Sequence, residues 1–199
     1  KGCRAFLSAR VRAGCFTACL IQQDKACLTF SGQRPGDAQL RLMLIGAALL
    51  TGALAGCSSS EPAPPTTYLL LDGTRVSTAD FKGKVMLVNF WATTCVSCVK
   101  EMPELAATYN KFKDRGFDTV AVAMSYDPPA YVANFAQTRQ LPFKVAVDNT
   151  GAAAKAWGEI KLTPTTFIVN KQGQIVKRYV GEPDFAALHQ LLDKLLSAS

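Results

Sequence analysis

Short apolar runs alternate with amphipathic segments over the last two thirds of the chain. Residues 85–90 and 119–124 are nearly continuous apolar runs, which is typical of strands buried on both faces of a sheet. Between them, apolar residues recur at helical spacing over 95–115, and Gly116 suits the C-terminus of that helix. This alternation predicts an α/β domain with a mixed sheet.

The remainder of this region follows the same pattern. The sequence predicts further strands at residues 67–71, 144–147, 165–169 and 175–180, the last two joined as a hairpin. It predicts further helices from Pro128 or Pro129 to Arg139, over 151–157, and from Pro183 and Asp184 onward. We therefore expect the folded domain to span residues 67–199.

A different pattern precedes this domain. Residues 42–55 are nearly all apolar or small, and they follow Arg41. The run is shorter than the roughly 20 residues that a bilayer-spanning helix needs, and it suits a secretory signal over 41–56. It ends in Leu-Ala-Gly-Cys57, which resembles the lipobox of bacterial lipoproteins, where the cysteine is lipidated and becomes the new N-terminus. The alternative is an ordinary buried helix that ends in a free cysteine.

Two further segments lie outside the predicted domain. Residues 57–66 are rich in serine and proline, which predicts a flexible tether. Residues 1–40 show no sustained helical or strand period, and we interpret them as a disordered segment or as upstream sequence translated by mistake. A genuine long cytoplasmic extension is the alternative for that segment.

The distribution of charge and the positions of the cysteines argue against two classes of protein. The formal charge is +7, but residues 1–56 carry +5 of it and the remainder only +2. No basic patch with interleaved aromatic residues is present, which argues against a nucleic-acid partner. Of seven cysteines, only Cys95 and Cys98 lie within the predicted domain, so we do not expect a scaffold held by several disulfides.

The Cys95-Val-Ser-Cys98 motif stands where a buried strand passes into a long helix. A thiol in the first turn of a helix faces unpaired N–H groups, which stabilise its thiolate, so Cys95 is the predicted nucleophile. Cys98 lies on the same helix face and can close a disulfide with it, so it is the predicted resolving cysteine. A zinc site would need a second pair of ligands, and the only histidine, His189, is predicted to be a surface or packing residue. We therefore expect no metal and no cofactor.

Residues 81–103, around this motif, closely resemble the TlpA/ResA branch of the thioredoxin superfamily, and the resemblance extends from about Tyr68 to the C-terminus. It implies a thioredoxin-like fold with a central mixed sheet flanked by helices and an extra helix and strand over 127–150. It also implies that Pro103 lies within the first long helix.

The same resemblance assigns further site residues. Within Leu-Thr-Pro-Thr-Thr-Phe167, it implies a cis peptide bond before Pro164. The backbone of Thr163 is then expected to pair with an extended substrate segment, with Trp91 and Thr94 as further substrate-binding residues.

The sequence departs from this family at several positions. Thr94 replaces the usual tryptophan before the first cysteine, and Val-Ser replaces the common pair ending in proline, so the redox strength cannot be transferred. Asn89 stands where thioredoxin keeps a buried aspartate, and we expect it to be structural. We expect Glu101 and Glu104 to be solvated carboxylates, the alternative being proton transfer with Cys98.

The predicted function is a membrane-anchored reductase of protein disulfides in the bacterial cell envelope. The predicted signal and lipidation site imply a periplasm-facing lipoprotein, at the inner or outer membrane. The resemblance implies that it receives electrons from a membrane thiol donor of the DsbD or CcdA type. Cytochrome c maturation is one possible destination, and we expect a monomer.

The sequence leaves two alternative functions open. A peroxiredoxin-like peroxide reductase would need proline and threonine where Val88 and Ala92 stand. A non-catalytic binding module of thioredoxin shape would not need Cys95, Cys98 and Pro164, all of which are present.

Overall fold

The computed structural model describes residues 61–198. Within them, the strands are β1 (Glu61–Pro62), β2 (Thr67–Leu70), β3 (Arg75–Ser77), β4 (Val85–Trp91), β5 (Phe117–Ala123), β6 (Lys144–Val147), β7 (Thr165–Val169) and β8 (Gln174–Val180). The α-helices are α1 (Val96–Phe112), α2 (Pro129–Thr138), α3 (Ala152–Ala156) and α4 (Phe185–Ser197), with 3-10 turns at Thr78–Phe81 and Lys113–Arg115. The predicted signal, the lipidation site Cys57 and residues 1–40 lie outside the described residues.

All the described strands join one mixed sheet in the order β1-β8-β7-β4-β5-β6-β2-β3. β4, β5 and β6 are parallel, whereas β7 pairs antiparallel with both β4 and β8. Every residue of β4 and β5 is buried, as their continuous apolar runs predicted. The prediction of an α/β domain with a mixed sheet is confirmed.

Two apolar clusters cover the two faces of the sheet. Along β4, Leu87 and Trp91 face the cluster that contains residues of α1, α2 and α4. Met86, Val88 and Phe90 face the cluster that contains residues of α3 and the first 3-10 turn. This alternation follows from the period of two in a strand. The C-terminal end of β4 is therefore fixed from both sides before the chain enters the cysteine motif.

Helix α1 follows β4 directly and carries the cysteines. Cys95 is its N-cap residue, and the helical segment terminates beyond a 3-10 turn at Gly116, whose φ of 87° is left-handed. Pro103 lies within the helix, as the resemblance implied. Because proline has no N–H, the carbonyl of Val99 loses its helical partner there.

The folded part begins earlier than expected. Residues 61–66 were predicted to be part of a flexible tether, but residues 61 and 62 form β1 at one edge of the sheet, and the residues after them connect β1 to β2. The Ala63 N–H donates to the Gly173 carbonyl at 2.9 Å, and Trp157 Nε1 donates to Thr66 Oγ1 at 3.0 Å. A proline-rich composition is compatible with an edge strand, since an edge leaves one side of the backbone unpaired.

β3 and the 3-10 turn after it were not predicted from the sequence. β3 has only three residues, too few to show a period, and it pairs with β2 across the turn at Asp72 and Gly73. None of the helices within residues 61–198 is both long enough and apolar enough to cross a membrane.

Candidate active site

The two cysteines of α1 are bonded to each other as a disulfide. Cys95 has an extended backbone conformation, with φ −86° and ψ 107°, and its Sγ accepts a hydrogen bond from the Cys98 N–H at 3.2 Å. Cys95 is half-buried, whereas Cys98 is fully buried. The geometry therefore presents one sulfur to the surface, at the N-terminus of a helix, and places the other beneath it.

A second loop lies against Cys95. The Thr163–Pro164 peptide bond is cis, as the resemblance implied, and the Thr163 carbonyl oxygen lies 3.5 Å from Cys95 Sγ. The loop is held on both sides, because the Pro164 carbonyl accepts from the Gly181 N–H at 2.8 Å and the Leu162 carbonyl accepts from Thr165 Oγ1 at 2.7 Å. The carbonyl next to the disulfide is thus held in a fixed position.

The loop before Cys95 is fixed by a buried carboxylate. Asp127 follows the C-terminal end of β5, and its two oxygens accept from the Thr93 N–H and the Thr93 hydroxyl, each at 2.6 Å. Charged acceptors of this kind form the stronger hydrogen bonds. Because the C-terminal ends of the parallel strands β4 and β5 meet at one edge, the side chain after β5 reaches the loop after β4.

A cluster of polar side chains is buried behind Cys98. Asn89 on β4 donates from Nδ2 to Glu101 Oε1 at 2.8 Å and to Thr166 Oγ1 at 3.0 Å. All three side chains are fully buried. Asn89 Oδ1 and Glu101 Oε2 have no hydrogen-bond partner among the described residues.

Burial raises the pKa of the Glu101 carboxyl from 4.5 to about 7. The hydrogen bond from Asn89 acts in the opposite direction, and the negative charge of Glu182 adds to the increase. Glu101 is one helical turn beyond Cys98, so the two side chains share a face of α1. A carboxyl group that titrates near neutral pH therefore lies on the same helix face as the buried sulfur.

The comparisons with known proteins agree with this geometry. The family model named Redoxin matches residues 58–192. The chain belongs to the Redoxin family.

Curated relatives name the activity of this Redoxin member. The chain is 36% identical over 135 residues to the thiol-disulfide oxidoreductase ResA of Bacillus thuringiensis subsp. konkukian, covering 68% of this chain and 77% of the relative. It is 31% identical over 163 residues to ResA of Bacillus subtilis, covering 80% of this chain and 90% of the relative. The protein is thus a thiol-disulfide oxidoreductase that resembles ResA.

A solved structure supports the same fold. The solution structure of a protein from Neisseria meningitidis assigned as a thioredoxin matches with a TM-score of 0.65 at 40% identity, covering 71% of this chain and 93% of that one. The prediction of a thioredoxin-like fold is confirmed. The extra helix and strand expected over 127–150 correspond to α2 and β6.

The structure brings together most of the predicted site residues of this Redoxin protein. Cys95, Cys98 and the Thr163–Pro164 bond meet within one small region, and Thr94 is exposed beside Cys95. The expected contact of Trp91 with substrate needs correction. Trp91 has no exposed area and packs against Phe135, with 5.2 Å between ring centroids, because it is the last residue of a strand covered on both faces.

Two other expectations concern ionisable residues near the motif. Glu104 is exposed as expected, but Glu101 is fully buried, so its prediction as a solvated carboxylate was wrong. His189 packs between helices, where its Nε2 lies 2.9 Å from the Thr108 hydroxyl. It is a packing residue, as predicted.

Asp127 and Ser97 were missed as site residues. The Ser97 hydroxyl lies 3.4 Å from Cys95 Sγ, close enough to donate to it. The position of Ser97 between the two cysteines could have indicated this contact. No signal in the sequence pointed to Asp127, whose role depends on the meeting of two strand ends.

Proposed function

We propose that this oxidoreductase is a lipid-anchored reductase of protein disulfides at the periplasmic face of a bacterial membrane. The observation that supports the disulfide exchange most directly is the asymmetry of the disulfide, in which Cys95 is partly exposed at a helix N-terminus and Cys98 is fully buried. Only Cys95 can be reached by a protein substrate, so it attacks first, and Cys98 resolves.

The exchange proceeds in two displacements. In the reduced enzyme, the Cys95 thiolate attacks one sulfur of a substrate disulfide, forming a mixed disulfide and releasing the other substrate sulfur as a thiolate. Cys98 then loses its proton and attacks Cys95 Sγ, which releases the second substrate thiolate and forms the enzyme disulfide. Two electrons pass to the substrate, and a separate dithiol donor must reduce the enzyme again.

The surrounding groups suit these steps. The Cys98 N–H and the Ser97 hydroxyl stabilise negative charge on Cys95 Sγ. The Thr163 backbone is available to pair with an extended substrate segment, and Thr94 contacts that segment from the opposite side. Glu101 accepts the proton of Cys98 during the second displacement, because its raised pKa of about 7 matches a proton acceptor at neutral pH.

Anchoring and location are proposed from the sequence. Residues 41–56 are read as a secretory signal and Cys57 as the lipidated N-terminus of the mature protein. Export places the protein in an oxidising compartment, so its electrons come from a membrane thiol donor of the DsbD or CcdA type.

The reduction potential of the Cys95–Cys98 pair decides the direction of the reaction. It is measured by equilibrating the protein with glutathione buffers, alkylating free thiols and quantifying the peptide that carries both cysteines. We expect a value of roughly −270 to −230 mV, as for reducing members of this class. A value above about −150 mV would indicate an oxidant or isomerase instead.

The order of attack is tested by trapping. With Cys98→Ser, the mixed disulfide between Cys95 and a model substrate should accumulate, since nothing resolves it. The matched variant Cys95→Ser should form no such species, because the remaining sulfur is buried. Trapping through Cys98 in the second variant would reverse the assigned roles.

The anchor is tested by fatty-acid labelling of the full chain in a bacterial host. We expect label on the wild-type protein and on a Cys27→Ala control, and none on Cys57→Ala. Label that persists on Cys57→Ala would contradict the proposed lipidation site.

A further inference from the structure

A groove lies beside the loop that carries the cis peptide bond. It has a volume of about 300 Å³ and is formed by the end of β8 and the loop before β7. Its lining residues are Gly158, Glu159, Lys161, Leu162, Arg178 and Val180.

This groove adjoins the disulfide through the backbone. Leu162 immediately precedes Thr163, whose carbonyl lies 3.5 Å from Cys95 Sγ. Val180 pairs with Thr165, and the next residue, Gly181, donates to the Pro164 carbonyl. The groove is therefore next to any polypeptide segment that pairs with Thr163 while its sulfur meets Cys95.

Apolar and cationic side chains line the groove together. Leu162 is 65% exposed and Val180 is 55% exposed, which is high for residues of their type. Lys161 and Arg178 are also exposed, and neither forms an ion pair with a residue in the part of the chain that the structure describes.

The guanidinium of Arg178 has a defined position. It lies over the Phe167 ring, 5.3 Å from the centroid, which leaves its N–H groups available to another acceptor. Glu159 is the one carboxylate among the lining residues, so the groove carries an excess of positive charge.

We propose that this groove binds the stretch of substrate flanking its disulfide and selects an extended segment with an apolar residue and an acidic residue two positions apart. This inference rests on the proposed reductase function. In an extended segment, successive side chains point in opposite directions, so alternate positions can meet different parts of the groove. The apolar side chain covers Leu162 and Val180, and the carboxylate binds Arg178, whose planar guanidinium suits carboxylate geometry.

The test uses two synthetic disulfide peptides that differ only in the flanking residue, which is aspartate in one and lysine in the other. The rate constant for their reduction by the fully reduced protein is measured by stopped-flow at low salt. Arg178→Glu is compared with the control Lys177→Glu. The control changes the net charge by the same amount, at the neighbouring residue. Lys177 lies over the Tyr179 ring on one face of β8, whereas Arg178 lies over the Phe167 ring on the other face.

We expect the wild-type protein to prefer the aspartate peptide, and Arg178→Glu to reduce that peptide about fivefold more slowly. Lys177→Glu should change the rate less than twofold, and high salt should remove the preference because exposed charges are screened. Equal rates for both peptides, or equal effects of both variants, would overturn the groove assignment.

Failure of the proposed function would be recognised separately. Reduction of a small uncharged disulfide serves as the reference, since it does not reach the groove. If that reaction is absent, the reductase function itself is wrong. If it occurs at the same rate in all variants while the peptides show no charge preference, only the groove assignment is wrong.

Discussion

The two faces of β4 differ in what they bury. On one face, the Phe90 ring packs 6.2 Å from both Trp157 and Phe167, with apolar neighbours throughout. On the other face, Asn89 lies among apolar residues and binds the buried Glu101. One strand thus supports an apolar core and a buried polar cluster at the same time.

The two faces therefore contribute differently to the free energy of folding. A buried carboxyl group with an unpartnered oxygen is unfavourable, whereas a cluster of aromatic rings is favourable. The unfavourable group lies on the same helix face as Cys98, which suits the proton transfer proposed above for the second displacement. On the opposite face, the packed aromatic rings contribute to stability.

The largest expected effect concerns the apolar face. Replacing Phe90 with alanine should lower the free energy of unfolding by about 3–5 kcal/mol, because it leaves a cavity among packed rings. Urea denaturation measures this loss, and the reduction rate per folded molecule should stay within about twofold of wild type. Phe90→Leu serves as the milder control. A specific loss of activity in folded Phe90→Ala would break the distinction between the faces.

The next effect concerns the polar face and its dependence on pH. Folding raises the pKa of Glu101 from 4.5 to about 7, so the native state binds the proton more tightly than the unfolded state. The stabilisation from the protonated form is complete below pH 4.5 and is lost as the pH rises through 7, a change on the order of 3 kcal/mol. Glu101→Gln should remove this loss and be more stable than wild type above pH 7.

The control for this prediction is Glu104→Gln, on the exposed side of the same helix. It should keep the wild-type pH dependence of stability, measured by urea denaturation from pH 4 to 8. In single-turnover assays, Glu101→Gln should also slow the resolution step near neutral pH. Parallel stability curves for wild type and Glu101→Gln would show that the carboxyl does not titrate in this range.

The smallest expected effect concerns the loop after β4, which lies outside both faces of the strand and is held by Asp127. Asp127→Asn removes a charged acceptor of the Thr93 N–H and should cost about 1.5 kcal/mol of stability while slowing attack by Cys95 several-fold. Asp72, whose carboxylate also accepts from a threonine N–H and hydroxyl, is exposed and distant from the motif. Asp72→Asn should leave the rate unchanged, and an equal loss of rate in both variants would contradict a local role for Asp127.

The sequence predicted the central elements well because their signals are strong. The continuous apolar runs of β4 and β5 admit few other interpretations, and the helix between them has both a period and a terminal glycine. β1 and β3 have two and three residues, and no periodicity can be read from so few. Their formation depends on neighbouring strands and not on their own composition.

The candidate site was predictable where it depends on local sequence. Cys95 and Cys98 follow from a short motif at a strand–helix junction, and the cis peptide bond before Pro164 follows from the resemblance to the TlpA/ResA branch. Trp91 was misjudged because its burial depends on α2 packing over it. Glu101 was misjudged because a carboxylate on a helix is usually solvated, and only the facing Asn89 of β4 makes its burial possible.

The two edges of the sheet affect how readily one molecule can pair with another through its strands. β1 covers only the first two residues of β8, so the strand continues uncovered through Lys177 and Arg178 within the described part of the chain. Two like charges on that stretch repel the same stretch of a second molecule, which opposes aggregation through strand pairing. At the other edge of the described sheet, β3 offers only three residues for such pairing. The molecule thus limits self-association by charge at one edge and by shortness at the other.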